Sequence, residues 1–129
     1  LLLQVAQDRL AYLYALHVVG RGVAVDLADI DAPIVPGGPA AYFATVPVKD
    51  MVLAIREAGV PSELSNSAGT YVCNHLLYCV LHHAGPGVRA GFIHVPCIPE
   101  QTAGTDRPSL PLAQLVAALE AAVAACCKG

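Results

Sequence analysis

The sequence predicts an α/β fold in which an open sheet carries helices on both faces. Short β-rich runs alternate with amphipathic helical patterns along the 129 residues, and this alternation is typical of a helix-covered sheet. With 56% hydrophobic and 13% charged residues, the chain can bury a core without disulfide or metal support. We therefore expect a single domain over residues 1–129, because no repeat and no long interior linker interrupts the pattern.

The first half of the chain contains one clear helix. Residues 1–19 are compatible with a strand or a helix, and residues 20–38 favour a loop because of their Pro and Gly content. Pro47 then opens a helix, Gly59 ends it, and residues 61–67 suit a short strand. The apolar positions of this helix lie at helical spacing: Val48, Met51, Val52 and Ile55.

The second half contains two predicted helices and a strand. A helix from about Ala68 to Ala84 is ended by Gly85-Pro86-Gly87, and residues 88–95 form a β-rich run before Pro96. A Pro/Gly/Thr loop follows, and an Ala-rich helix closes the chain. The expected apolar face of the first helix is Val72, Leu76, Leu77, Val80 and Leu81. That of the second is Leu112, Leu115, Val116, Leu119 and Val123.

Charge and composition exclude several classes of function. The net charge is −3 and Lys and Arg form no cluster, so we expect no nucleic-acid partner. The most apolar stretches, 10–19 and 112–127, are too short or interrupted to span a membrane, which needs roughly 20 apolar residues. An odd number of cysteines, five, without a recognisable signal peptide favours reduced thiols and a cytoplasmic location.

The start of the chain suggests that part of the protein is missing. The sequence begins at Leu1, and Met51 is its single methionine. We therefore expect a partial domain, either a fragment or a product whose natural amino terminus has been removed.

Cys73 is the strongest candidate for a reactive side chain. Gly69 suits a tight turn into the helix, so Cys73 is expected in the first helical turn, where backbone N–H groups and the helix dipole favour a thiolate and could form an oxyanion hole. The alternative is a small buried side chain, the commoner role of a free cysteine. Candidate capping residues precede it: Ser65, Ser67 and Thr70.

His94 is the candidate partner of this thiol. It lies near the end of the predicted strand, two residues before Pro96, and sites in open α/β sheets gather at the carboxyl ends of strands. An imidazole close to a cysteine can act as its general base. A hydrogen-bonded core histidine is the alternative interpretation.

A metal site is a weaker hypothesis. His75, Cys79 and either His82 or His83 lie one or two turns apart on the same predicted helix, and i to i+4 spacing can place two ligands on one metal. Because no Cys-x-x-Cys or second His motif accompanies them, we expect no metal.

Three ordered segments resemble the pyroglutamyl-peptidase I family, also called pyrrolidone-carboxylate peptidases. They are GGPAAYFATVPVK (Gly37 to Lys49), EAGVPSELSNSAGTYVCNHLLY (Glu57 to Tyr78) and GFIHVPCIPEQ (Gly91 to Gln101). The resemblance implies a cytosolic cysteine peptidase that removes an amino-terminal pyroglutamyl residue from peptides without a cofactor. It also implies a three-layer α/β sandwich around a twisted mixed sheet and assembly as a homo-oligomer, commonly a tetramer. In this resemblance Cys73 matches the nucleophile and His94 the general base.

The amino-terminal part of the chain departs from the family pattern. Members carry a glutamate that orients the histidine, in a Gly-Gly-Arg-x-x-x-x-x-Glu-Arg context. Here the best match is Gln7-Asp8-Arg9, the glutamate position falls near Ala15, and no glutamate precedes Glu57. A Gly-Phe-x-Pro-Phe motif that helps form the family's pyroglutamate pocket has no counterpart either. Because loss of the orienting acid and of transition-state binding slows turnover, two hypotheses stand: an impaired exopeptidase, and an inactive remnant or interaction domain of the same fold.

Overall fold

A computed structural model describes residues 2–4, 33–66 and 72–128 of the protein. In chain order, its elements are strand β1 (Leu2–Gln4), helix α1 (Val48–Glu57), strand β2 (Glu63–Ser65), helix α2 (Val72–His83), strand β3 (Phe92–His94) and helix α3 (Leu112–Cys127). The three described strands form one sheet in the order β2-β1-β3. This alternation confirms the α/β class. The predictions for residues 5–32, which include Asp8 and Ala15, and those for Ser67, Gly69 and Thr70 lie outside the described residues.

The described residues divide into two compact units. The first contains residues 2–3, 46–65 and 93–128. The second contains residue 4, residues 33–45, residue 66 and residues 72–92. Cys73 belongs to the second unit and His94 to the first.

Helix α1 begins and ends where the sequence predicts. Pro47 occupies its N-cap position, Arg56 lies in its last turn, and Gly59 follows with a φ of 78°, which glycine adopts without a Cβ clash. After Gly59 the chain turns back toward the helix, and two hydrogen bonds join Ser62 to α1. Arg56 Nε donates to the Ser62 carbonyl at 2.9 Å, and Ser62 Oγ donates to the Val52 carbonyl at 3.1 Å. These bonds fix the chain just before β2.

The core of the first unit lies between α1 and α3. Ile55, Ala118 and Ala122 have no exposed surface, and Met51 Sδ accepts a hydrogen bond from Cys126 Sγ at 3.3 Å. Alanines four residues apart let the backbones of two helices approach closely. The buried residues of this cluster are Met51, Val52, Ile55, Val60, Ala118 and Ala122.

The predicted apolar face of α3 is wrong in its details. Its buried residues are Leu115, Ala118 and Ala122. Four of the five predicted core positions are instead exposed, from 38% to 62%: Leu112, Val116, Leu119 and Val123. The hydrophobic pattern favoured the larger side chains, whereas close packing against α1 selects the small ones.

The strands are shorter than predicted. The β-rich run 88–95 forms a strand only at Phe92–His94, since Val88 donates its N–H to the Gly85 carbonyl and closes a turn instead. Likewise, the strand expected over 61–67 is Glu63–Ser65. None of the described helices has both the length and the apolar composition that crossing a bilayer requires.

Candidate active site

Cys73 is the second residue of α2 and is partly buried. Helix α2 is the next described element after β2 in chain order. Asn74, the next residue, is 5% exposed, so a buried polar residue directly follows Cys73 in the helix. Asn74 was not among the predicted site residues; its position as a polar residue directly after a candidate nucleophile was the available signal.

The predicted apolar face of α2 is confirmed at Leu77 and Leu81 and wrong at its other three positions. Leu77 and Leu81 are buried with Ala90, and Tyr42, Ala84 and Phe92 pack against them. Three of the predicted core positions are roughly half exposed: Val72, Leu76 and Val80. Asn74 and Tyr78 take their place among the buried residues of the helix. The burial of Asn74, Leu77, Tyr78 and Leu81 leaves Cys73 at the border of the buried face.

An aromatic cluster holds residues 33–45 against α2. Tyr78 donates its hydroxyl hydrogen to the Pro39 carbonyl at 2.7 Å, and the Tyr42 hydroxyl and His82 Nδ1 share a hydrogen bond of 2.7 Å. The Tyr42 and Tyr78 rings meet edge to face with centroids 5.0 Å apart, and the Tyr78 and His82 rings are stacked. The first family-like segment therefore contacts the helix that carries Cys73.

The environment of Tyr78 perturbs its ionisation. Burial is the main cause, and interactions with Tyr42 and Cys79 add to it; together they raise the pKa of Tyr78 above its ordinary value of 10.0. The phenol is therefore held neutral and acts as a hydrogen-bond donor.

Gly38 allows this close approach. A Cβ at this position would lie 2.5 Å from the Tyr78 hydroxyl oxygen and 3.1 Å from the Val35 carbonyl oxygen. Atoms that close would overlap, so the contact between residues 33–45 and Tyr78 requires glycine here. The Pro and Gly content of this segment predicted only a loop, whereas Gly38 also lets the segment pack closely against Tyr78.

His94 is the last residue of β3, and its side chain is exposed. The preceding residue, Ile93, packs against the core of the first unit. Beyond Pro96 the chain forms a loop closed by a parallel bridge between Cys97 and Ser109 and by the Leu110 N–H donating to the Cys97 carbonyl at 3.0 Å. The expected position of His94 at the carboxyl end of a strand is confirmed.

Cys73 and His94 lie in different compact units. Each has the local setting that the sequence predicts, one at the start of a helix and the other at the end of a strand. Their pairing as nucleophile and base stays a prediction.

The residues of the weaker metal hypothesis separate into two groups. His75 Nε2 and Cys79 Sγ lie 3.5 Å apart on α2. His82 instead belongs to the aromatic cluster, where its ring also meets that of His83 edge to face.

Comparison with known proteins identifies the relatives of this chain. It is 56% identical over 95 residues to a pyrrolidone-carboxylate peptidase of Pseudomonas fluorescens, covering 73% of this chain and 45% of that protein. It is 50% identical over 98 residues to the corresponding Vibrio vulnificus (strain CMCP6) protein, covering 75% and 46%. The chain therefore spans about half the length of these curated relatives.

Solved structures give the same result. The crystal structure of Bacillus amyloliquefaciens pyroglutamyl peptidase I is 33% identical, with a TM-score of 0.81 over 99% of this chain and 61% of that one. Pyrrolidone carboxyl peptidase from Pyrococcus furiosus is 34% identical, with a TM-score of 0.79 over 98% and 62%. A sequence model described as pyroglutamyl peptidase matches residues 22–129. The chain thus belongs to the pyroglutamyl peptidase family.

Proposed function

We propose that this chain is part of a cysteine exopeptidase that removes an amino-terminal pyroglutamyl residue from peptides, with Cys73 as nucleophile and His94 as general base. The observation that carries the proposal is Cys73 at the second position of α2, inside the matched residues 22–129. The first turn of a helix presents free N–H groups to a reacting carbonyl. His94 at the end of β3 supports the second assignment.

In the proposed reaction, the Cys73 thiolate attacks the carbonyl carbon of the pyroglutamyl residue and forms a tetrahedral intermediate. The C–N bond to the next residue breaks as the His94 imidazolium gives its proton to the leaving amine. Water then attacks the thioester, His94 accepts its proton, and pyroglutamate leaves with the thiolate restored.

The same family membership supports the remaining features of the proposal. We assign the chain to a single, partial domain, whose complete form is a three-layer sandwich with a twisted mixed sheet and helices on both faces. We also propose a cytoplasmic location and association as a homo-oligomer. The exposed apolar residues of α3 support association, because such side chains gain from burial.

An inactive remnant or interaction domain is the second candidate. It is favoured by one specific observation: no glutamate precedes Glu57, so the acid that orients the family histidine is missing from the chain. A histidine without its orienting acid typically loses about 10⁴-fold in turnover in the serine-protease triad. The first candidate therefore predicts slow hydrolysis by this chain, and the second predicts none.

A fluorogenic amide of pyroglutamate tests the proposal. We expect slow release of the fluorophore by the chain, no release by Cys73→Ala, and unchanged release by Cys127→Ser, which removes an exposed thiol at the end of α3. Release that survives Cys73→Ala would contradict the assignment of the nucleophile.

Thiol reactivity separates the two candidates if the chain releases no fluorophore. Cys73 is partly buried and Cys127 is exposed, so exposure alone predicts that Cys127 alkylates faster. Faster alkylation of Cys73 would identify an activated thiol and favour the exopeptidase. Slower alkylation of Cys73 would favour the inactive remnant.

A further inference from the structure

A second thiol and imidazole lie together on α2, away from the proposed nucleophile. His75 and Cys79 are four residues apart, so they are neighbours on the helix surface. The distance between His75 Nε2 and Cys79 Sγ is 3.5 Å, and both side chains are partly buried. The helix backbone therefore fixes a nitrogen and a sulfur donor side by side.

The His75 ring has no competing polar partner within the part of the chain that the structure describes. Its Nδ1 atom is buried and makes no hydrogen bond there, and Cys79 is the partner of Nε2. Among the described residues, the Cys79 sulfur is thus the polar partner of the imidazole.

We propose that His75 and Cys79 form a two-donor site for a thiophilic divalent cation of the zinc or cadmium type. Zinc bonds of about 2.0–2.1 Å to nitrogen and 2.3 Å to sulfur, at a tetrahedral angle of about 109°, separate the donors by about 3.6 Å. The observed separation is 3.5 Å, so the two donor atoms already lie at about the distance that such a cation requires.

Binding at this site exchanges a proton for a metal. The Cys79 S–H bond breaks, the proton goes to solvent, and the thiolate and the Nε2 lone pair each form a bond to the cation. Among the described residues, no cluster of three or more His, Cys, Asp or Glu side chains could complete a metal site. In the proposed site, water or an anion would fill the positions that these two residues leave open, so the cation would be exchangeable.

Titration of the 129-residue chain with Cd²⁺ alone tests the site through the ultraviolet sulfur-to-cadmium charge-transfer absorption. Loss of one of two donors should weaken affinity at least as much as loss of an outer-shell partner, which costs roughly 10–100-fold. We expect His75→Gln and Cys79→Ser each to lower the affinity of one Cd²⁺ by tenfold or more. The matched control His83→Gln, an exposed histidine on the same helix, should leave it unchanged.

Protection of Cys79 tests the same proposal without a substitution. Peptide mapping of the unmodified chain after brief alkylation should show that Cd²⁺ slows modification of Cys79. Unchanged alkylation of Cys79 at saturating Cd²⁺, or equal Cd²⁺ affinity in the chain and in a folded His75→Gln variant, would overturn the proposal. Neither measurement depends on peptidase activity, so the site and the proposed function fail independently.

Discussion

The packing of α3 against α1 predicts that a small residue matters more than its larger neighbour. Ala122 is fully buried, whereas Val123 is 60% exposed. Replacing Ala122 by Leu inserts extra carbons into a close-packed interface, which costs about 1–3 kcal/mol of unfolding free energy. Replacing Val123 by Ala removes methyl groups whose partial burial contributes at most about 1 kcal/mol to the free energy of unfolding. The higher helix propensity of Ala offsets about 0.5 kcal/mol of that loss.

Urea unfolding followed by circular dichroism measures the difference. With a denaturant dependence of about 2 kcal/mol per molar, typical of small proteins, Ala122→Leu should lower the midpoint by about 0.5–1.5 M. Val123→Ala should shift it by less than about 0.3 M. A larger loss of stability for Val123→Ala than for Ala122→Leu would show that α3 packs through its Leu and Val residues, and the described core would then be wrong.

Three further predictions concern the second unit. Gly38→Ala should destabilise the chain by about 1–3 kcal/mol in the same urea assay, because the new methyl overlaps the Tyr78 hydroxyl; wild-type stability would contradict the contact. Thr45→Val should cost about 1–3 kcal/mol, since Thr45 Oγ1 accepts from the buried Ala90 N–H at 2.8 Å, and Thr45→Ser should restore most of the loss. The raised pKa of Tyr78 means that the unfolded chain releases this proton first as the pH rises through about 10, so stability should fall from that pH upward. Tyr78→Phe should reduce that fall, and an identical pH profile in the variant would contradict the burial of the phenol.

Local sequence signals predicted the elements of the fold but not their contacts. Pro47 and Gly59 act on the residues beside them, so α1 was predicted nearly to its observed bounds. The positions of Cys73 and His94 at the ends of their elements followed for the same reason. The face of α3 did not, because the choice between its alanines and its larger residues is made by α1, more than fifty residues away in the chain.

The aromatic cluster shows the same limit in the candidate site. Tyr42 and His82 are 40 residues apart, and no helical or strand period relates them. Buried Tyr hydroxyls need partners, but neither the burial of Tyr78 nor its partner, the Pro39 carbonyl, follows from the local sequence pattern. The pairing of Cys73 with His94 depends on long-range placement of the same kind, which is why local patterns leave it open.

The hydrogen bonds from Tyr78 and His82 couple the ordering of two distant stretches of chain. Both residues lie in the last two turns of α2, and both contact residues 33–45. Fraying of those turns would release the Gly-Gly-Pro loop at the same moment, so the two stretches should open as one cooperative unit with a common rate of amide exchange. A substitution that destabilises the last two turns of α2 would then also destabilise the loop, although it lies away from the Cys73 thiol at the start of the helix.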